Sequence, residues 1–215
     1  MLPDNLRKVG KLQKRVNKLN MNKSYTKRGG ESPPFFLEAK NLHFSRNNET
    51  ILEGINFSGS FRGICLIKGM VGSGKTTLLK LIADIFEPDS GTLSLSYGEF
   101  ESTKYFVHAN PEFNFVMGNI LDEIKIAGLN SELFESYNNL DIDELSGGQL
   151  KKLSVLIAVE SNKDVVIIDE PFEMLDDNEM MNIYQTIVEK SGKKGFIIAT
   201  HENILDDVSE VMINL

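Results

Sequence analysis

Cysteine and long apolar runs are both nearly absent from this chain of 215 residues. Cys65 is the single cysteine, so the sequence excludes an intrachain disulfide and favours a cytosolic setting. It lies in an apolar run and is predicted to be packed rather than reactive. No stretch approaches the roughly 20 consecutive apolar residues of a membrane-spanning helix. The first residues lack the apolar segment of a secretory signal, so none is expected.

Basic residues are concentrated at one end of the chain. The net charge is −8, but residues 1–34 hold nine Lys or Arg and only two acids, a surplus of +7. Residues 35–215 therefore carry −15. A domain that acidic is a poor general binder of nucleic acid, so we expect no nucleic-acid partner.

Residues 1–34 are predicted to be a basic amphipathic extension and linker, followed by one folded domain over 35–215. Apolar residues of this extension recur at helical intervals: Leu2, Val9, Leu12, Val16 and Leu19. Three interpretations stay open. The segment lies on an anionic membrane surface, docks a partner, or is a non-native extension that a translation start at Met21 would remove.

The stretch GMVGSGKTT at residues 69–77 fits the phosphate-binding pattern G-x-x-x-x-G-K-[ST]. It follows a predicted buried strand and opens a predicted helix, which makes a chance glycine-rich turn a poor alternative. Lys75 is predicted to reach the β- and γ-phosphates, and the Thr76 hydroxyl to ligate Mg²⁺. The predicted nucleotide-binding residues here are Gly69, Val71, Gly72, Ser73, Gly74, Lys75, Thr76 and Thr77.

Two acids follow the continuous apolar run VVII at residues 165–168, which is typical of a central parallel strand. Asp169 is predicted to hold Mg²⁺, directly or through water. Glu170 is predicted to polarise an attacking water molecule. The alternative, two solvated acids that cap a strand, is less favoured with a phosphate loop about a hundred residues upstream.

The motif LSGGQ at residues 145–149 predicts a second phosphate site. Its glycines permit close backbone approach, and a serine hydroxyl lies at a helix N-terminus. This site cannot fold onto the first within one short chain. Its predicted binding residues are Ser146, Gly147, Gly148 and Gln149.

The remaining pattern alternates strands and helices, which implies a parallel sheet with right-handed crossovers. Residues 118–137 are predicted to be mostly helical, with a break at Gly128. The motif order (phosphate loop, LSGGQ, Asp-Glu-Pro, then a histidine after a strand) closely resembles the ATP-binding-cassette (ABC) ATPases over roughly residues 36–215. The resemblance implies an α/β P-loop NTPase fold. Its parts would be a mainly parallel central sheet, an antiparallel β subdomain and a short helical subdomain at about residues 110–160.

The resemblance also implies roles for particular residues. Glu170 would be the catalytic glutamate, and His201 the histidine that contacts the γ-phosphate. Two such domains would pair head to tail around two molecules of ATP with Mg²⁺, so that Ser146 and Gly148 touch the γ-phosphate held by the partner. Asp176 would belong to the loop that crosses this dimer interface.

Two positions depart from the family pattern. The chain has only three glutamines, Gln13, Gln149 and Gln185. The family's glutamine after the strand at residues 104–108 is replaced by Ala109, so His108 or Asn110 substitutes for it or a contact is lost. The family's adenine-stacking aromatic is replaced by Arg46, whose guanidinium can also stack on a base. Phe44 is expected to be part of the core.

The segment from Asn110 to Phe115 and the helix predicted after it resemble the energy-coupling-factor and cobalt-uptake importers. The sequence therefore predicts a transport-coupled ATPase on the cytoplasmic face of the membrane, bound to separate transmembrane subunits. Its second ATPase subunit would be an identical chain or, as Ala109 and Arg46 favour, a non-identical one. Two alternatives stay open: a soluble ABC ATPase not linked to transport, and a nucleotide-dependent regulatory subunit with weak turnover.

Overall fold

The computed structural model describes residues 33–98, 100–137 and 140–215. The amphipathic pattern predicted between Leu2 and Leu19 lies outside the described residues. None of the helices in the described ranges combines the length and the apolar character that crossing a membrane requires.

Four strands form an antiparallel sheet in the order β2-β1-β4-β5. Their bounds are β1 Phe35–Arg46, β2 Glu49–Phe61, β4 Ser90–Tyr97 and β5 Phe100–Glu101. Alternation along β1 buries Phe35, Leu37 and Ala39 on one face, as expected of a sheet that covers a core on one side. Asn47 and Asn48 join β1 to β2 with positive φ angles of 53° and 63°, which suits a two-residue hairpin turn.

Five strands form a parallel sheet in the order β6-β7-β8-β3-β9. Their bounds are β3 Ile64–Lys68, β6 Lys104–Val107, β7 Val165–Asp169, β8 Gly195–Ala199 and β9 Val211–Asn214. Strands β7 and β8 are buried along their whole length, which explains their unbroken apolar sequences. Because the carboxyl ends of parallel strands meet at one edge of the sheet, the segments that follow β3, β6, β7 and β8 lie close together.

Within residues 33–98, 100–137 and 140–215, four α-helices and four short 3₁₀ segments connect the strands. The α-helices are α1 Lys75–Ile82, α2 Ile120–Ile126, α3 Gly147–Glu160 and α4 Asp177–Lys190. The 3₁₀ segments are Pro111–Asn114, Ser131–Tyr137, Ile142–Glu144 and Asp206–Val208. The helix expected over residues 118–137 is α-helical only in α2. Gly128 has a φ of +69° and breaks it, and the part beyond is 3₁₀.

The apolar interior is divided into three clusters. One lies between the parallel sheet, the antiparallel sheet and α1, and includes Ile67, Leu78 and Ile197. A second covers the other face of the parallel sheet with α3 and α4. The third belongs to the helical subdomain and includes Ile124 and Phe134. Helix α3 contributes residues to the second and the third clusters, so it joins the helical subdomain to the sheet. The predicted fold class is confirmed.

The strand β7 tests this account of the core. Ile167 is fully buried, so Ile167→Ala should lower the free energy of unfolding by about 2–5 kcal/mol through lost burial and a cavity. Ile126→Ala is the matched control, because Ile126 is 64% exposed, and it should cost less than about 0.5 kcal/mol. Urea unfolding followed by circular dichroism gives both values, and equal losses would contradict the assigned core.

Candidate functional site

The phosphate loop lies between the end of β3 and the start of α1. Gly72 and Gly74 have φ angles of +84° and +95°, a region that glycine adopts without strain. A Cβ atom on Gly74 would also lie 2.7 Å from Leu52, whereas one on Gly72 would meet nothing within 4 Å. The Ser73 hydroxyl is buried without a hydrogen-bond partner. A phosphate oxygen in the loop would supply that partner.

The ammonium group of Lys75 is buried over its own loop. It donates to the carbonyl oxygens of Gly69 at 3.0 Å and Met70 at 3.2 Å. It also lies 3.8 Å from Oε1 of Glu170. The lysine is therefore held beside the phosphate loop, where its ammonium group can form an ion pair with a bound phosphate in place of these contacts. Val71 beside it is 96% exposed, and Thr77 is half-buried in the first turn of α1.

Thr76 and Asp169, the two predicted Mg²⁺ ligands, are in direct contact. The Thr76 hydroxyl donates to Oδ2 of Asp169 at 2.8 Å. Asp169 is 1% exposed, and its Oδ1 has no hydrogen-bond partner. Burial raises the pKa of Asp169, against the lowering effect of the Thr76 hydrogen bond. A carboxylate oxygen left without a partner is costly, and a hard cation such as Mg²⁺ would satisfy it.

Glu170 and His201 also contact each other. Oε2 of Glu170 accepts the backbone N–H of His201 at 3.3 Å and lies 3.0 Å from its ring Nδ1. Glu170 has a φ of +45°, a strained value for a residue with a side chain, and its N–H donates to the carbonyl of Ala199. Strain of this kind is concentrated at functional sites. The end of β7 therefore presents one carboxylate to Thr76 and the next to Lys75 and His201.

The LSGGQ segment forms the N-terminus of α3. Ser146 Oγ accepts the N–H of Gln149 at 3.3 Å, and Gln149 Oε1 accepts the N–H of Ser146 at 2.8 Å. This reciprocal capping box occupies both side chains. A Cβ atom on Gly148 would lie 2.4 Å from the carboxylate of Glu179, whereas one on Gly147 would meet nothing within 4 Å. Between the described residues of this segment and the phosphate loop there is no hydrogen bond or ion pair.

Asp176 caps α4 and does not contact the phosphate loop. Its Oδ1 accepts the N–H groups of Asn178 at 2.8 Å and Glu179 at 2.9 Å. Met174, just before it, has a φ of +63° and is 92% exposed. The segment predicted to cross a dimer interface is thus a turn with a protruding apolar side chain.

Arg46 lies over Phe86, which the sequence did not single out. The guanidinium carbon is 5.1 Å from the centre of the Phe86 ring. Phe86 stacks in turn on Phe44, with ring centres 5.3 Å apart. Phe44 is buried, as predicted. Contact between Arg46 and adenine stays a prediction, with Phe86 as the support of the guanidinium.

His108 and Asn110, on either side of Ala109, differ in which side-chain atoms are already hydrogen-bonded within the loop. Asn110 Oδ1 accepts the N–H of Glu112 at 3.0 Å and caps a 3₁₀ turn. His108 Nδ1 accepts the N–H of Asn110 at 3.0 Å, which assigns the ring proton of a neutral imidazole to Nε2. Burial lowers the pKa of His108, and the nearby Lys80 lowers it further. Nε2 of His108 therefore takes no part in the hydrogen bond to Asn110, whereas Oδ1 of Asn110 is engaged in the 3₁₀ turn.

Lys151 is a buried residue that the sequence analysis did not single out. It is 3% exposed, and its ammonium group donates to the carbonyl oxygens of Ala109 at 2.5 Å and Glu170 at 2.9 Å. Burial lowers the pKa of Lys151. A sequence signal existed: Lys151 shares a helical face with the buried Val155 and Ala158. A lysine on an apolar stripe requires a partner.

A sequence profile of the ABC transporter family matches residues 52–173, more than half of the chain. The chain belongs to the ABC transporter family. The arrangement of sheets and helices is the ABC ATPase fold.

Relatives of this ABC protein have varied names. The ABC transporter I family member 11 of Arabidopsis thaliana is 29% identical over 71% of this chain and 66% of its own length. The cytochrome c biogenesis ATP-binding export protein CcmA of Reclinomonas americana is 29% identical over 78% and 86%. The zinc uptake system ATP-binding protein ZurA of Listeria monocytogenes is 26% identical over 77% and 76%. The chain thus spans about two thirds of the length of the first curated relatives it matches.

Two solved structures share the fold. The ATP-binding subunit of an ABC transporter has a TM-score of 0.70 and 20% identity, over 84% of this chain and 85% of that one. A dimeric ATP-binding cassette in a post-hydrolysis state, bound to ADP and Pi, has a TM-score of 0.63 and 20% identity, over 83% and 94%. At these identities the likeness shows the fold alone.

The lowered pKa of His108 predicts a pH effect on stability. As pH falls below the ordinary histidine value of about 6.5, the unfolded chain takes up this proton before the folded chain does. The free energy of unfolding should therefore fall between pH 7.5 and pH 5.5, more in the wild type than in His108→Gln. Urea unfolding at both pH values measures the difference. An equal slope in the two proteins would show that His108 protonates as easily when folded.

Proposed function

We propose that this chain is the ATP-hydrolysing, nucleotide-binding subunit of an ABC transporter and powers transport through separate membrane subunits. The observation that carries the proposal is the set of contacts at the carboxyl edge of the parallel sheet. Thr76 contacts Asp169 at 2.8 Å, His201 contacts Glu170 at 3.0 Å, and Lys75 lies 3.8 Å from Glu170. Phosphate-binding, metal-binding and proton-accepting groups are thus adjacent.

The phosphate loop binds the triphosphate of ATP. Its N–H groups and the N-terminus of α1 face the phosphate oxygens, and Lys75 exchanges the carbonyls of Gly69 and Met70 for the β- and γ-phosphates. Thr76 and Asp169 hold Mg²⁺, which neutralises charge on the phosphates. The unpaired Oδ1 of Asp169 supports this assignment.

Glu170 accepts a proton from the attacking water molecule. Its carboxylate is engaged by Lys75 and His201 in the structure. When Lys75 turns to the phosphates, one carboxylate oxygen becomes free to orient the water. His201 keeps the other oxygen in place. Contact between its ring and the γ-phosphate is what the family resemblance implies.

A second subunit completes the site. The capping box leaves the N–H groups of Gly147 and Gly148 at the start of α3 for an anion. These groups do not reach the phosphate loop of their own chain, so they bind the γ-phosphate held by another ABC ATPase subunit. A non-identical partner is favoured by Ala109 and Arg46, which replace a metal-contacting amide and an adenine-stacking aromatic.

A groove beside the same sheet edge supports docking of a separate membrane subunit. Its volume is about 500 Å³, and its lining includes Ile85, Phe106, His108 and Phe113. Phe113 is 70% exposed and the nearby Val116 is 88% exposed. Apolar side chains displayed in this way suit a helix of a transmembrane partner. The chain would then lie at the cytoplasmic face of the membrane.

The segment after β6 bears on the class of transporter. The segment from Asn110 to Phe115, followed by α2, supports an importer of the energy-coupling-factor or cobalt type. One relative is named for zinc uptake and another for export, so both directions occur among similar chains. Ala109 favours a second candidate function, a nucleotide-dependent regulatory subunit with weak turnover. Steady-state phosphate release separates these candidates.

Replacing the proposed base tests the activity. Glu170→Gln should bind Mg-ATP normally but release phosphate about a hundredfold more slowly, or slower still, because a positioned base contributes at least that much. Lys75→Ala is the comparison variant and should lose ATP affinity, since it removes the charge that faces the phosphates. Binding is measured by calorimetry and turnover by phosphate release. Normal turnover in Glu170→Gln would place the base elsewhere.

A further inference from the structure

We infer that Lys151 is a positioning residue for ATP hydrolysis, through which the helix that begins at LSGGQ controls the placement of Glu170. The inference rests on the proposed function, because it concerns the same hydrolytic site. It assigns a role to a residue that lies outside the motifs that define this site.

The geometry joins three segments of the chain. Lys151 lies in the first turns of α3, shortly after Gly147 and Gly148. Its ammonium group donates to the carbonyl of Glu170, directly after β7, and to the carbonyl of Ala109, just beyond β6. Strands β6 and β7 are paired neighbours. One buried cation therefore ties the N-terminal turns of α3 to the ends of two adjacent strands.

The link reaches Glu170 through its main chain. The N–H of Glu170 donates to Ala199, and its carbonyl accepts from Lys151, so both of its peptide groups are held. These bonds maintain a φ of +45°, which directs the carboxylate to Lys75 and His201. A residue in this conformation needs such restraint from its surroundings.

Ala109 makes the lysine more important in this chain. A methyl group cannot bond to a phosphate, a metal ion or a water molecule, so Ala109 itself contributes to the site only through its main chain. The hydrogen bond from Lys151 fixes that main chain. If binding of a partner's phosphate displaced the first turns of α3, Lys151 would therefore move the main chain of Ala109 and of Glu170.

The surrounding charges are compatible with this role. Burial lowers the pKa of Lys151, whereas Glu173, Asp169 and Glu170 oppose that shift. The two carbonyl acceptors take two of the three N–H donors of an ammonium group that burial has removed from water. The lysine does not contact the loop that binds the phosphates, so its loss should affect the chemical step rather than ATP affinity.

The test separates kcat from binding. Lys151→Met removes both hydrogen bonds and should lower kcat about tenfold or more, because small misplacements of catalytic groups are that costly. The KM and Kd for ATP should change less than about threefold, in keeping with an effect confined to the chemical step. Lys151→Arg keeps the charge and the donors and should recover most of the turnover. Lys193→Met, at an exposed lysine, is the control and should match the wild type.

The outcomes are distinguishable. A kcat of Lys151→Met within about twofold of wild type, or a loss that follows ATP affinity or the Tm, would overturn the positioning role. If Lys151→Met does not fold, Lys151→Gln, which keeps an amide donor, is measured by the same criteria and decides. A wild-type chain that binds ATP without turnover, alone and with its membrane partners, would overturn the proposed function and this inference together.

Discussion

The hydrogen bond between Thr76 and Asp169 is the contact on which the site depends. It ties the first turn of α1, and so the phosphate loop, to the carboxyl end of the central strand β7. The next residue, Glu170, adopts a left-handed conformation. Lys75 from α1, His201 from the segment after β8 and Lys151 from α3 then contact Glu170. Two apolar clusters on the faces of the sheet hold these segments in place.

Much of this arrangement could be predicted, because local patterns encode it. The glycine-rich loop, the apolar strand before Asp169 and the strand before His201 each have a signature within about ten residues. Parallel pairing then brings their carboxyl ends together. The contact of Lys151 with Glu170 and that of Arg46 with Phe86 were missed, because neither Lys151 nor Phe86 belongs to a motif that assigns it a partner. The 3₁₀ form of Ser131–Tyr137 was missed because helical periodicity does not distinguish it from an α-helix.

The proposed function gives this chain two incomplete phosphate sites. The first has its lysine, hydroxyl and carboxylates assembled within hydrogen-bonding or ion-pair distance. The second would consist of the N–H groups of Gly147 and Gly148 at the start of α3, where the side chains of Ser146 and Gln149 are engaged in a capping box. Lys151 connects the start of α3 to the main-chain carbonyl of Glu170, whose carboxylate belongs to the first site. A partner subunit that binds one site would therefore act on the other.

The central claim is that ATP joins this chain to a second ATPase subunit. The most direct measurement is the mass of Glu170→Gln by light scattering, with and without Mg-ATP. It is made alone and with any ATPase subunit that co-purifies with the wild-type chain from its source cell. The account predicts an ATP-dependent complex of two ATPase subunits in one of these mixtures. A mass that stays at one subunit in both mixtures, while ATP is bound, would contradict it.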